Sequence, residues 1–375
     1  MAEKTIKKKR SSNIELLRII CTLMVISLHM LNPAIIGGIK YAKASGSSLA
    51  FGATSYIFCT SIAAVDIFIL ISGFFMIEKS KPKLGKAINL LFVCSAYSVI
   101  KYLVITLSAG KSVSTSALLM SFIPKSYYVW LYCTLYIISP YINRIVNGMT
   151  KKQYQRMLIV GFVLFCLWPT IIDCCRMLWN KGLTDVFTIS RDGNGSGFTI
   201  VNFVYCYLLG GYLKKYKTEF KNKGTKYLEL IGALLCSLAA CLIVIFIPKL
   251  NGTTGILGYE TVFVVMEAVL LFDFFTRIDI GSSDLINFFA KTSFGVFLLH
   301  TTVIMIMMRY IDIKAMFGSG FIGSMECYLI LLLGSYIVTA VFDTLAHLIM
   351  TPISKLWSKT KLFNFDPTLI KEENE

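Results

Sequence analysis

Three side chains that a bilayer would ordinarily reject share one apolar run near the start of the chain: Glu15, Arg18 and His29, between Asn13 and Leu31. Glu15 and Arg18 lie three positions apart, within ion-pairing reach on a helix. Arg18 and His29 are separated by eleven positions, which at about 100° per residue is three turns plus roughly 20°. The two therefore share a helix face, about 16 Å apart along its axis. A guanidinium near the inner boundary suits a phosphate or carboxylate, and an imidazole beyond the midplane suits proton transfer near neutral pH. The plain alternative is that Arg18 snorkels to lipid phosphate while pairing with Glu15, and that His29 bonds a neighbouring helix.

Other ionisable residues fall inside apolar runs, where a charge costs about 2.5 to 3.5 kcal/mol at mid-bilayer. Asp66, in Ala64 to Phe75, is a candidate to orient a histidine or to pair with Arg18 or Lys101. His300 ends the run from Ser293 and is equally suited to packing or to a site. Glu267 stands in another such run. Asp343 and His347 lie near the inner end of the last run, where solvation would suffice for them.

The elements that must position these residues are membrane helices. Apolar runs near the length of a bilayer crossing recur at about 14–36, 53–77, 87–108, 127–147, 157–173, 198–213, 228–247, 257–275, 289–309 and 321–350. The expected fold is an all-α polytopic bundle of about ten spans. Lysine and arginine sort between alternate loops: with the N-terminus inside, about 25 of the 37 fall on the cytoplasmic side and about 10 outside, with Arg18 and Lys101 in spans. That bias puts both termini in the cytoplasm.

Composition agrees. Of 375 residues, 56% are hydrophobic and 15% charged, too few charges for a soluble domain. The formal charge of +16 sits between apolar runs, so it reads as topology and not as a nucleic-acid surface. Eleven cysteines lack CxxC pairs or metal-ligand spacing and read as small buried hydrophobes, with Cys174 and Cys175 expected in an outer loop. That loop, about 174 to 197, is turn-rich from Arg191 to Gly197, and suits either a connector or a cover over a site. The expected organisation is a basic N-terminus over 1–12, a transmembrane domain over 13–352 and a polar tail over 353–375. The basic start resembles a signal peptide, but the run that follows has no small-residue cleavage site and reads as a retained span.

Four stretches, in order, carry a resemblance: Asn13 to His29 with its Arg-x10-His spacing, Val65 to Phe75, Trp130 to Pro140, and Ser293 to His300. With them the chain resembles the membrane acyltransferase-3 family, bacterial enzymes that O-acetylate surface glycans and other acceptors, over about residues 13 to 350. Departures are modest: Glu15 stands where many relatives carry Asp, Ile69 replaces a common second aromatic, and the hydrolase-like extension of some relatives is absent.

The resemblance implies a multi-pass protein of the bacterial plasma membrane. It takes acetyl-CoA from the cytoplasm as donor and a hydroxyl of a cell-surface or lipid-linked glycan as acceptor, with no permanently bound cofactor and no metal. It implies His29 as general base or transient acetyl carrier, Arg18 as donor anchor, and Asp66 or another buried acid as the group holding the imidazole tautomer. Lys79, Lys81, Lys83 and Lys86 are candidates for the donor's phosphates, though such lysines also serve as topology signals. Glu15, Trp130, Glu267 and His300 are supporting candidates.

Two other classes compete. A transporter or flippase for lipid-linked sugars would use the same spans and charges, but no internal repeat or paired broken helices are visible. A membrane glycan polymerase handles similar substrates. A scaffold or sensor gains little from a charged stripe inside the bilayer.

Overall fold

A computed structural model describes residues 12–79, 83–179, 188–190, 193–194, 196–217, 223–247, 249 and 255–365. In chain order the helices are α1 (Ser12–Leu31), α2 (Gly38–Ala44), α3 (Ser48–Ser61), α4 (Ala64–Met76), α5 (Leu84–Ser108), α6 (Thr115–Ser121), α7 (Tyr127–Asn147), α8 (Lys151–Phe162) and α9 (Trp168–Trp179). They continue as α10 (Ile200–Tyr216), α11 (Lys226–Phe246), α12 (Val262–Arg277), α13 (Asp284–Met307), α14 (Ile313–Gly318), α15 (Phe321–Trp357) and α16 (Lys361–Asn364). A short antiparallel pair, Thr188–Ser190 with Gly193–Asn194, precedes α10.

The molecule is an all-α membrane bundle. Seven of its helical segments are long and apolar enough to cross a bilayer: α1, α3 with α4, α5, α8 through α9, α11, α13 and α15. The other three expected spans are helices too. However, α10 and α12 have 17 and 16 residues, fewer than the roughly 20 a crossing takes, and α7 is rich in tyrosine and asparagine.

Differences at the boundaries have local causes. The first span was expected to reach residue 36, but α1 ends at Leu31, because Pro33 disfavours helix at the residue before it. Asn32 closes the turn, its side chain accepting from the Ala34 N–H at 2.8 Å. The second span is two helices broken at Ile62 and Ala63. Cys174 and Cys175 lie within α9 and not in a loop: Asp173 and Arg176, which interrupt the apolar pattern, pair three residues apart and let the helix continue. A π turn at Val163–Leu167 adjoins Pro169, whose missing N–H unsettles the usual ladder. The last helix runs through Pro352 to Trp357, so the expected boundary at 352 falls inside it.

At the centre stands α1, packed against α3, α4, α12, α13 and α15. Beside it, α4 and α10 approach at backbone distance, because Gly73 faces the Tyr207 carbonyl and Gly210 faces the Leu70 carbonyl. A Cβ at either position would overlap the opposing main chain, so small residues set this spacing, as is common between membrane helices. Gly295 of α13 likewise makes room for the Asp343 carboxylate of α15.

Candidate active site

A cavity of about 770 Å³ opens near the end of α1 that the charge distribution puts outside. Its wall includes His29, His300, Lys101 and Tyr97 from the bundle, and Phe198 and Tyr259 from the segments before α10 and α12. The rings of His29 and His300 meet edge to face, centroids 4.8 Å apart and planes at 74°. Each Nδ1 lies against the carbonyl one turn back on its own helix, His29 on Val25 at 2.8 Å and His300 on Val296 at 2.9 Å. A carbonyl only accepts, so each Nδ1 carries the hydrogen and each neutral ring keeps its lone pair on Nε2. His29 is half-buried and borders the open space, so with Nδ1 turned to its own helix, Nε2 is the atom left to act there. His300 is buried, and its Nε2 has no hydrogen-bond partner among the described residues.

Local sequence explains the aromatic part of the wall. Ser196 and Gly197 both take left-handed backbone, and a side chain at Gly197 would strike Tyr259 and Glu260. The Tyr259 N–H donates to the Ser196 carbonyl at 3.1 Å. This turn lays Phe198 between Tyr259 and Tyr127, with centroids 4.7 and 4.8 Å away.

The cytoplasmic end holds a second set of groups. Arg18 Nη1 donates to Glu15 at 2.8 and 3.0 Å, and its guanidinium sits 5.9 Å from the Phe75 ring centre. Lys214 lies 5.2 Å from the neighbouring Phe74 ring. Lys79 shares a small pocket with Glu78 and Arg144, and the Asn143 amide fixes its backbone through the Lys79 carbonyl at 2.7 Å. Lys83 and Lys86 are exposed near the start of α5, and the Lys83 N–H donates to the Tyr136 hydroxyl at 3.1 Å. Lys81 lies outside the described residues.

Arg18 does not line the outer cavity. Between the two ends stands a file of rings. Phe297 borders the cavity; Tyr128 packs on Phe297 at 5.2 Å and on Tyr132 at 6.0 Å; and both tyrosines lie within electrostatic reach of Arg18.

The other expected site residues have different neighbours. Asp66 is fully buried, but its Oδ1 accepts from Asn202 at 3.0 Å and it does not border the cavity. The Val25 carbonyl therefore takes the tautomer-holding role expected of Asp66, because an i to i−4 bond within α1 reaches Nδ1 first. Glu267 is buried with the Ser237 hydroxyl between α11 and α12, away from the cavity wall. Trp130 Nε1 donates to the Pro124 carbonyl at 2.8 Å and so braces the segment carrying Lys125 into α7. Asp343, expected to be solvated, is buried and accepts from the Tyr97 hydroxyl. Sequence gave little notice of the aromatic wall, because a tyrosine or phenylalanine in an apolar run carries no mark of function.

Among the described residues no group of three histidine, cysteine or acidic side chains is placed to hold a metal ion. A family model described as an acyltransferase domain matches residues 11–344. No curated protein and no solved structure matches the chain.

Proposed function

From the premise that this chain belongs to the acyltransferase-3 family of membrane acyltransferases, we propose that it moves an acetyl group from cytoplasmic acetyl-CoA to a hydroxyl of a cell-surface or lipid-linked glycan, in a bacterial plasma membrane. One observation carries the reading: His29, its Nδ1 held by the Val25 carbonyl so that Nε2 is left free, borders a cavity that opens on the side where such a glycan would arrive.

In this reaction His29 Nε2 takes the proton of the acceptor hydroxyl as its oxygen attacks the thioester carbon. The carbon–sulfur bond breaks, and the imidazolium returns the proton to the departing thiolate. The base regenerates itself, and no further proton donor is required. Phe198, Tyr127 and Tyr259 suit the apolar faces of a sugar ring, with two phenol hydroxyls to meet its polar edge.

The donor's phosphates find candidate partners at the opposite end, in Arg18, Lys79, Lys83 and Lys214. The Glu15 carboxylate keeps the Arg18 guanidinium oriented without using all of its five N–H donors. For the thioester to reach His29, its slender pantetheine arm must pass the rings of Tyr132, Tyr128 and Phe297.

The test is the purified chain in lipid, supplied with acetyl-CoA and surface glycan. Acceptor-dependent release of free thiol, with a new O-acetyl signal in the glycan's NMR spectrum, is expected. Absence of both with a competent glycan would remove the reading, and glycan movement across the bilayer without thiol release would favour a transporter.

A further inference from the structure

Among the described residues, the cavity wall contains cations and no carboxylate. Lys101, from the span α5, and Lys125, just before α7, both border it, while no described Asp or Glu does. Lys101 is partly buried and donates from Nζ to the Thr301 hydroxyl at 3.2 Å, next in sequence to His300. An ammonium has three hydrogens to place, and a neutral hydroxyl takes one. Among the described residues neither lysine has an acidic partner. The same bundle neutralises its partly buried arginines among the described residues: Arg18 has Glu15, Arg176 has Asp173, and Arg277 has Glu229 and Asp273.

A charge in a span without a counter-ion costs free energy that an incoming anion would recover. The anion's direction of approach follows from position. Lys101 is seven residues from the outer end of α5, about 10 Å along the axis, and Lys125 lies beyond the membrane-facing part of α7 on the same side. Donor phosphates arriving from the cytoplasm would meet Arg18 and the inner lysines instead. The Trp130 to Pro124 bond holds the Lys125 segment toward the cavity.

We propose that the acceptor is acidic: a sugar or polyol carrying a carboxylate or phosphodiester near the hydroxyl to be acylated, its oxyanion held by Lys101 and Lys125 beside His29. The inference rests on the acyltransferase reading for the word acceptor. The anion site itself rests on the two lysines alone. Ammonium groups are point charges without a fixed fork, so they accept carboxylate and phosphate alike, and the two sources need separate arms in the test.

The experiment measures binding of three probes to the full chain in phosphatidylcholine nanodiscs: trigalacturonate, a glycerol phosphate trimer, and uncharged galactotriose. At least one acidic probe is expected to bind about ten-fold or more tightly than galactotriose, with the difference shrinking as salt rises. Which acidic probe binds identifies carboxylate or phosphate as the natural group. Lys101→Gln and Lys125→Gln should each lose most of that preference. Lys101→Arg should restore it, which separates charge from folding. Equal binding of all three probes, or a preference that survives Lys101→Gln, overturns the proposal. Acyl transfer is scored separately: acid-selective binding without transfer would refute the enzyme reading and leave the anion site standing, and efficient transfer to neutral glycan alone would do the reverse.

Discussion

His29 and His300, on helices far apart in sequence, meet edge to face at 4.8 Å, each with Nδ1 bonded to its own helix one turn back. Both imidazoles border one cavity, but unequally. His29 borders open space, whereas His300 is buried. On the proposed reaction, that asymmetry favours His29 as the base and His300 as its polar neighbour.

His29→Ala should lower acyl transfer by at least about 10²-fold, the usual contribution of a positioned base, while the protein still inserts and purifies as a single species. His300→Ala should cost less, since its free nitrogen is buried. Thiol release measured on both variants checks the order. A larger loss at His300 would exchange the two roles.

Asp66 gives a sharp contrast with the role that its place in the sequence invites. Its partner is Asn202 of α10, so Asp66→Ala strands a buried amide, at about 1 to 3 kcal/mol, and should lower the thermal midpoint. The rate per folded molecule should stay within a few-fold of the parent. A loss comparable to that of His29→Ala, without loss of stability, would show that Asp66 acts on the imidazole.

The α4 to α10 contact predicts a purely structural failure. Gly210→Val places a branched side chain on the Leu70 carbonyl, and overpacking of this kind costs about 1 to 3 kcal/mol. Lower yield and an earlier unfolding transition in detergent are expected. Gly52→Val, where the added Cβ has open space, is the control and should unfold as the parent does.

Much of this arrangement was legible beforehand. The apolar runs locate the helices, because a bilayer crossing needs about twenty unbroken residues, and the phase of Arg18 and His29 puts them on one face. Contacts between distant helices were not legible. Nothing in the run ending at His300 indicates that its ring meets His29, and Asp66 looks like an orienting acid until Asn202 is found beside it. Lys101 was visible as a charge in a span, but its place in the cavity depends on how α5 packs against α13. The aromatic wall depends on a turn at Ser196 and Gly197 whose outcome only the third dimension gives.

Trp130 tests how the loop before α7 serves the acceptor. Trp130→Phe keeps the ring and removes the N–H to the Pro124 carbonyl, a bond worth about 0.5 to 1.5 kcal/mol net. The KM for glycan should rise about two- to ten-fold as the Lys125 segment loosens, with the KM for acetyl-CoA unmoved. A change in the donor constant instead would place this segment on the donor's path.

The ring file between Arg18 and His29 sets the last expectation. On the proposed reaction, the candidate donor and acceptor groups lie on opposite sides of Phe297, Tyr128 and Tyr132, so these rings must yield when the thioester advances. Tyr128 is the middle ring, in contact with both others and with Phe68 and Phe203 besides. Tyr128→Ala removes the centre of the barrier and should raise acetyl-CoA hydrolysis measured without any acceptor, because water entering from the outer cavity can then reach the thioester. Tyr128→Phe keeps the barrier and should hold hydrolysis at the parent level. If Tyr128→Ala leaves acceptor-free hydrolysis unchanged while transfer continues, the thioester reaches His29 by another route and the rings are packing alone.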